Sequence, residues 1–396
     1  MLRTIVTVFA FLLALPTAYA QDIQLGASLQ LTGASANIAR YYRDGYALAI
    51  DRVNAGGGVK VGGQSRKLAL KILDNQSDVN LSVRQYGQLV TQDKINLLLG
   101  PYESGYVLAT SSVAEKYEVP MLHGGGASDQ IYSRGYKYIF GVLPVASRYF
   151  ASTVEAMTKL NPAPKSAALL FADDAFDTAV ANGTRKQLVA AGLEVKLDER
   201  YSSNATDFGS LLARIKSLAP DAVLVAGHEA EILNFIRQAK SNDVNPKLFA
   251  FTVGVQSDDF RKSLGADADY AYGMTSWLPV ASSKDALFGD AAKFAEIYKA
   301  RFGYEPDYHG AAAAAAVEGF AKAIESAGTD EPKAVRAAIA KLDFGTQYGR
   351  IRFSPVGQVD LPQVVIQLQK GKLVPVYGEA GFMAKPLYPT PPWKQR

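Results

Sequence analysis

The feature that most constrains this chain is a strand–helix alternation that runs along it twice. Ile23 to Leu31 (IQLGASLQL) reads as a strand. Tyr41 to Ala55 then carries apolar residues at helical spacing until Gly56-Gly57-Gly58 stops it. Lys67 to Leu73, Ile95 to Gly100 and Val119 to His123 are short apolar runs that read as buried strands. Helical segments Ser82 to Asp93 and Gly105 to Lys116 lie between them. The pattern restarts with strands at Ser166 to Phe171, Leu193 to Tyr201, Ala222 to Gly227 and Lys247 to Thr252. Their intervening helices are Thr178 to Ala191, Asp207 to Leu218 and Glu229 to Ser241. Helical sequence returns over Lys284 to Phe302 and Tyr308 to Ala327, and Gln363 to Tyr377 reads as a hairpin around Gly371. Alternation at this spacing requires right-handed βαβ units and parallel sheets. The fold class is therefore α/β, with two doubly wound lobes. The absence of a low-complexity linker implies lobes joined by several crossings.

The 396-residue length fits two cores of ordinary size. Net charge is +4, with no basic stripe, which excludes a nucleic-acid footprint. There is no Cys, so thiol catalysis and cysteine metal sites are excluded. Arg3, the apolar run Thr4 to Pro16 and the small-x-small site Ala18-Tyr19-Ala20 read as a cleaved export signal spanning residues 1–20. The expectation is a mature chain that begins at Gln21, free in the periplasm, with no stable membrane insertion. His123, His228 and His309 are far apart and sit in no H-E-x-x-H, and no G-x-S-x-G occurs. No enzyme, cofactor or metal site is expected.

Seven segments in order then carry a resemblance: SLQLTG, DRVNAGGGVKVGGQSRKL, ILDNQSD, LLGPYESG, EKYEVPMLHGGGAS, RGYKYIF and PDYHGAAAAAAVEGFAKAI. Together they resemble the leucine/isoleucine/valine-type periplasmic solute-binding proteins of ABC importers, which have a type I, Venus-flytrap fold. The resemblance implies three interlobe crossings, placed near Gly141 to Val145, Gly273 to Pro279 and Arg350 to Pro355. One lobe would comprise 21–142 plus 276–351, and the other 143–275 plus 352–396. It also implies a small ligand held between the lobes, with no chemistry done on it, for delivery to membrane permease subunits.

Ser104, in the turn that opens a helix, matches the position that holds a ligand carboxylate; its competing role is a simple helix cap. Gly126, Ala127 and Ser128 match a segment that offers backbone and a hydroxyl. Phe176 and His228 fall at tyrosine positions of the amino-acid binders. Val253 falls where those binders carry a glutamate for the ligand's ammonium. Tyr102, Trp277 and Arg148 complete the expected mouth, although a solvated Arg148 is the more natural reading. Burying an ammonium without its carboxylate costs several kcal/mol. Either Glu103, Asp174 or Glu229 substitutes, or the ligand is not an α-amino acid. The expectation is a flat, benzoate- or cinnamate-like carboxylic acid. The alternatives are a branched-chain amino acid, a small amide, or a role as a soluble ligand sensor.

Overall fold

The computed structural model describes residues 21–378 and 381–396. The export signal expected at 1–20 lies outside the described residues. The first sheet contains β1 (Ile23–Leu29), β2 (Leu68–Asp74), β3 (Leu98–Leu99), β4 (Met121–His123) and β5 (Ile139–Gly141). Its order is β2-β1-β3-β4-β5, and every neighbour pair is parallel. The second sheet contains β6 (Ser166–Ala172), β7 (Glu194–Tyr201), β8 (Ala222–Ala226), β9 (Leu248–Phe251) and β10 (Tyr272–Thr275). It is extended by β11 (Val364–Gln369), β12 (Lys372–Gly378) and β13 (Gly381–Phe382) into the order β13-β12-β11-β10-β9-β8-β6-β7. Pairing is parallel from β7 to β10 and antiparallel from β10 to β13. β6, β8 and β9 are buried along their whole length. Helices cover both faces, so these strands read as unbroken apolar runs.

Helix positions follow caps that periodicity alone does not reveal. The helix expected from Tyr41 begins five residues earlier, at Ala36. The one expected from Thr178 begins at Ala175, because the Asp174 side chain accepts from the N–H groups of Phe176 and Asp177, both at 2.8 Å. The segment from Lys284 is not helical at first. Asp285 Oδ1 takes the N–H groups of Leu287 and Gly289 at 2.8 and 3.2 Å, which ties off a tight turn. The helix there starts only at Ala291, capped by Asp290.

The alanine run has a packing reason. Ala311 to Ala316 have no exposed surface, and their helix (Tyr308–Ala327) lies on the Ala36–Ala55 helix. A methyl group at Gly45 would stand 2.4 Å from the Gly310 carbonyl oxygen and 2.8 Å from the Ala313 Cβ. Only small residues permit that approach.

The chain leaves the first sheet after Gly141 and leaves the second after Thr275, close to the expected crossings. The third passage comes later than the sequence reading places it. Gly141 N–H donates to Gly357 O at 2.8 Å, and Val359 N–H donates to Gly141 O at 3.0 Å. The turn around Pro355 and Gly357 folds back on the edge of the first sheet, so residues 352–359 stay with it. The chain passes over at 360–363.

Candidate functional site

The carboxyl ends of parallel strands converge here, where turns lead into helix N-termini. From the first lobe come the turns after β3 (Gly100 to Glu103) and β4 (Gly124 to Ser128). From the second come those after β6 (Asp173-Asp174), β8 (Gly227-His228) and β9 (Thr252 to Gly254). The turns after β3, β6 and β8 meet at a cavity of about 510 Å³ whose lining includes Tyr102, Glu103, Ser104, Asp174, Phe176 and His228.

Beneath it lies a narrower space of about 20 Å³, room for about one water-sized probe. Seven of its thirteen lining residues carry rings. Tyr42, Tyr102, Tyr308 and His309 come from the first lobe; Tyr149, Phe176, His228 and Val253 come from the second. Tyr42 stacks on Tyr102 with centroids 5.5 Å apart, and His309 meets Tyr102 edge-on at 5.5 Å. Tyr149 meets Phe176 edge-on at 5.0 Å, and Phe176 lies 5.8 Å from the His228 ring. Edge and offset contacts of this kind are the favoured aromatic geometries.

Six of the ten residues singled out in the sequence gather around these two spaces: Tyr102, Ser104, Ala127, Phe176, His228 and Val253. Ser104 is the first residue of its helix (Ser104–Tyr117), while Glu103 occupies the cap position with φ +68°. Its hydroxyl therefore does not cap that helix. It reaches to the next turn, accepting from the N–H groups of Ala127 and Ser128 at 3.1 and 3.0 Å. Ser128 is fully buried, and its own hydroxyl has no partner among the described residues.

The other placements differ from expectation. Gly126 lies behind the site, packed against Ile131 and Val107, and Gly125 takes the lining position. Arg148 is well exposed and pairs with Asp360 at 2.6 Å, so it belongs to the surface. Trp277 donates Nε1–H to the Gln347 carbonyl at 3.0 Å and lines a separate cavity beside the crossings. Both residues follow crossings closely in sequence, but a crossing has two sides, and these lie away from the cleft. Tyr42 and Tyr149 lie outside the seven segments that carry the resemblance, and Tyr308, inside the last of them, has nothing local that separates it from a core position.

Charge in the cleft centres on His228. Its Nδ1 lies 3.2 Å from the Tyr102 hydroxyl, a contact between the lobes, and its Nε2 lies 3.2 Å from Asp174 and 3.7 Å from Asp177. Burial alone would lower its pKa, but the bond to Asp174 and the charges of Asp174, Asp177 and Glu103 raise it well above the usual value. Burial pushes Asp174 up, yet His228 outweighs that and holds it at about 2. Asp177 is fully buried, and neither of its oxygens has a hydrogen-bond partner among the described residues. Burial, reinforced by the charge of Asp174, raises its pKa well above the carboxylate range. Burial likewise raises Glu103, which the Ser35 hydroxyl contacts, and lifts Glu229 to about 7. Arg40 closes the rim by pairing with Asp259 of the opposite lobe at 2.8 Å. Among the described residues one group has metal-ligand spacing: ligand atoms of Asp174, Asp177 and His228 all lie within 4.8 Å of one another.

A family profile described as "Periplasmic binding protein" matches residues 22–372. The chain belongs to the periplasmic binding protein family. It is 26% identical to Leu/Ile/Val-binding protein homolog 8 of Brucella abortus, over 93% of this chain and 94% of that protein. Among solved structures it is similar to the branched-chain amino acid substrate-binding protein LivJ of Streptococcus pneumoniae in complex with isoleucine. That likeness has a TM-score of 0.80 at 23% identity and covers 89% of this chain and 97% of that one. A solute-binding protein of an R. palustris ABC transporter in complex with benzoate also matches with a TM-score of 0.80. Its identity is 21%, covering 92% of this chain and 98% of that one. The fold of this periplasmic binding protein is thus the two-lobed α/β architecture of those structures, and these neighbours are transport binding proteins rather than enzymes. No helix among the described residues is long and apolar enough to cross a membrane.

Proposed function

We propose that this periplasmic binding protein is exported, captures a small aromatic carboxylic acid between its lobes, and presents it to the membrane permease of an ABC importer. The observation that carries this reading is the ring-walled inner space with hydrogen-bond donors at one end. The Ser104 hydroxyl, which accepts from the Ala127 and Ser128 N–H groups and lines both spaces, is free to donate its own hydrogen to a carboxylate as a charge-assisted bond at a helix start. Tyr42, Tyr102, Phe176 and Tyr308 offer faces and edges to an aryl ring. Val253, apolar and 2% exposed, provides no counter-charge for an ammonium. Two solved neighbours support the class: one holds benzoate and another 3,4-dihydroxybenzoic acid. The inner space has room for about one water here, so an aryl acid enters only when the lobes part, and the loaded form closes less far than this structure, by the hinge motion expected of two bodies joined by three passages.

A branched-chain amino acid is the second reading. Glu103 lines both spaces and is the acid placed to meet an ammonium there. Burial raises the Glu103 pKa, although the His228 charge and the donating Ser35 hydroxyl oppose it. Glu103 is thus already engaged by Ser35, and the ring faces around the inner space favour the aryl acid. Calorimetry at matched pH checks this. Benzoate or cinnamate is expected to bind at least roughly tenfold tighter than leucine, isoleucine or valine, a difference of about 1.4 kcal/mol. Submicromolar leucine binding with silent aryl acids would transfer the assignment to the amino acids.

A further inference from the structure

The most unusual side chain in the cleft is Asp177. It sits in the first turn of the Ala175–Ala190 helix with no exposed surface, and neither carboxylate oxygen has a hydrogen-bond partner among the described residues. Buried carboxylates are ordinarily bonded or paired, because desolvation is costly otherwise. The ring-and-donor reading of the cleft gives it nothing to do.

Its neighbours explain it. Asp174 spends Oδ1 on the helix N-terminus, accepting from Phe176 and Asp177 N–H at 2.8 Å, which leaves Oδ2 turned toward His228 Nε2 at 3.2 Å. Asp177 Oδ2 lies 3.7 Å from the same nitrogen. We propose that Asp174, Asp177 and His228 form a binding site for one divalent transition-metal ion, zinc foremost, in the wall of the cleft. A tetrahedral ion about 2.1 Å from each ligand separates those ligands by about 3.4 Å, close to the 3.2 and 3.7 Å from His228 to the two acids, with all three groups within 4.8 Å of one another. Two carboxylates and a neutral imidazole carry the charge that one divalent cation cancels. Mixed oxygen and imidazole ligands suit zinc, cobalt and nickel rather than calcium or magnesium.

The surroundings suit the same role. The Tyr102 hydroxyl, 3.2 Å from Nδ1, holds the ring and fixes which nitrogen faces the acids, the orienting partner that metal-bound imidazoles usually have. Asp174 and His228 line the 510 Å³ cavity while Asp177 lies beneath them. The fourth coordination position therefore points into the cleft, where a solute's oxygen or a water can take it. The site does not depend on which solute the cleft captures.

Untagged full-length mature protein, stripped with a chelator and titrated with zinc chloride in a non-coordinating buffer, tests this by calorimetry. One ion per chain at micromolar affinity or tighter is expected. Asp177→Asn, which keeps the shape, should weaken binding by more than the roughly 10–100-fold lost when only an outer partner is removed. Asp173→Asn, adjacent to Asp174 in sequence but paired with Arg200 on the surface, should leave it unchanged. X-ray absorption of the zinc-loaded wild type supplies a second readout that needs no variant: one imidazole among oxygen ligands at about 2.0–2.2 Å. No stoichiometric zinc binding, unchanged binding in a folded Asp177→Asn, or a shell with several imidazoles would each overturn the site. Aryl-acid binding measured on stripped protein is a separate result and bears only on the solute.

Discussion

Replacing Gly125 by alanine is expected to destabilise the protein by about 3 kcal/mol or more and to abolish solute capture. The methyl group would stand 1.9 Å from the Pro101 carbonyl oxygen and 2.8 Å from its carbon. Both are backbone atoms in the turn that presents Tyr102, Glu103 and Ser104, so no side chain can swing aside. Overpacking a dense interior typically costs about 1–3 kcal/mol when side chains can adjust, and here the strain falls on main chain. Any relief moves Tyr102 and Ser104 together. Gly87 provides the contrast: it lies in the Val79–Thr91 helix, and a methyl group there meets nothing within 4 Å. Gly87→Ala should gain about 0.5–1 kcal/mol from helix propensity. Denaturant melts of the two variants check this, with benzoate calorimetry on each. An unchanged midpoint for Gly125→Ala would mean that the turn after β3 yields easily.

The same pair shows how far the sequence can be read. Two alternating α/β series fix the sheets, because strands of four to eight apolar residues between amphipathic helices fit only parallel βαβ packing. That architecture places ligands at strand carboxyl ends, so the turns bearing Tyr102, Ser104, Ala127, Phe176, His228 and Val253 are legible in advance. Register within a glycine run is not. Gly125 and Gly126 are indistinguishable until packing puts one against Pro101 and the other against Val107 and Ile131.

Residues contributed by helix faces are equally hidden. Tyr42 and Tyr308 have the spacing of ordinary core positions, and both are almost wholly buried. Asp177 falls just before the helix expected from Thr178 and carries no signal of its own, because its neighbour His228 arrives from a turn 51 positions later. Arg148 and Trp277 fail for the opposite reason. Nearness to a crossing in sequence does not say which side of the crossing a side chain takes.

Ser104→Ala is expected to act twice, and the two effects separate its structural role from its role toward a solute. In the protein as it stands, the hydroxyl accepts from Ala127 and Ser128 N–H and ties the turns after β3 and β4 together. Removing it leaves two buried donors unpaired, a loss of about 1–3 kcal/mol in stability. Water entering when the lobes part recovers some of this, so a value near 2 kcal/mol is expected. Toward an aryl carboxylate the hydroxyl acts as a donor, aimed by the two N–H groups that hold its oxygen. The variant therefore loses one charge-assisted bond, on the order of 1.5–3 kcal/mol, or roughly tenfold to hundredfold in affinity. Methyl benzoate, which lacks the charge, should lose a comparable amount against the wild type. Melting and calorimetry on one preparation distinguish the contributions. A variant that melts lower yet binds benzoate normally would leave Ser104 as a tie between turns, and the carboxylate would then have to be met by the Ser128 hydroxyl and the backbone alone.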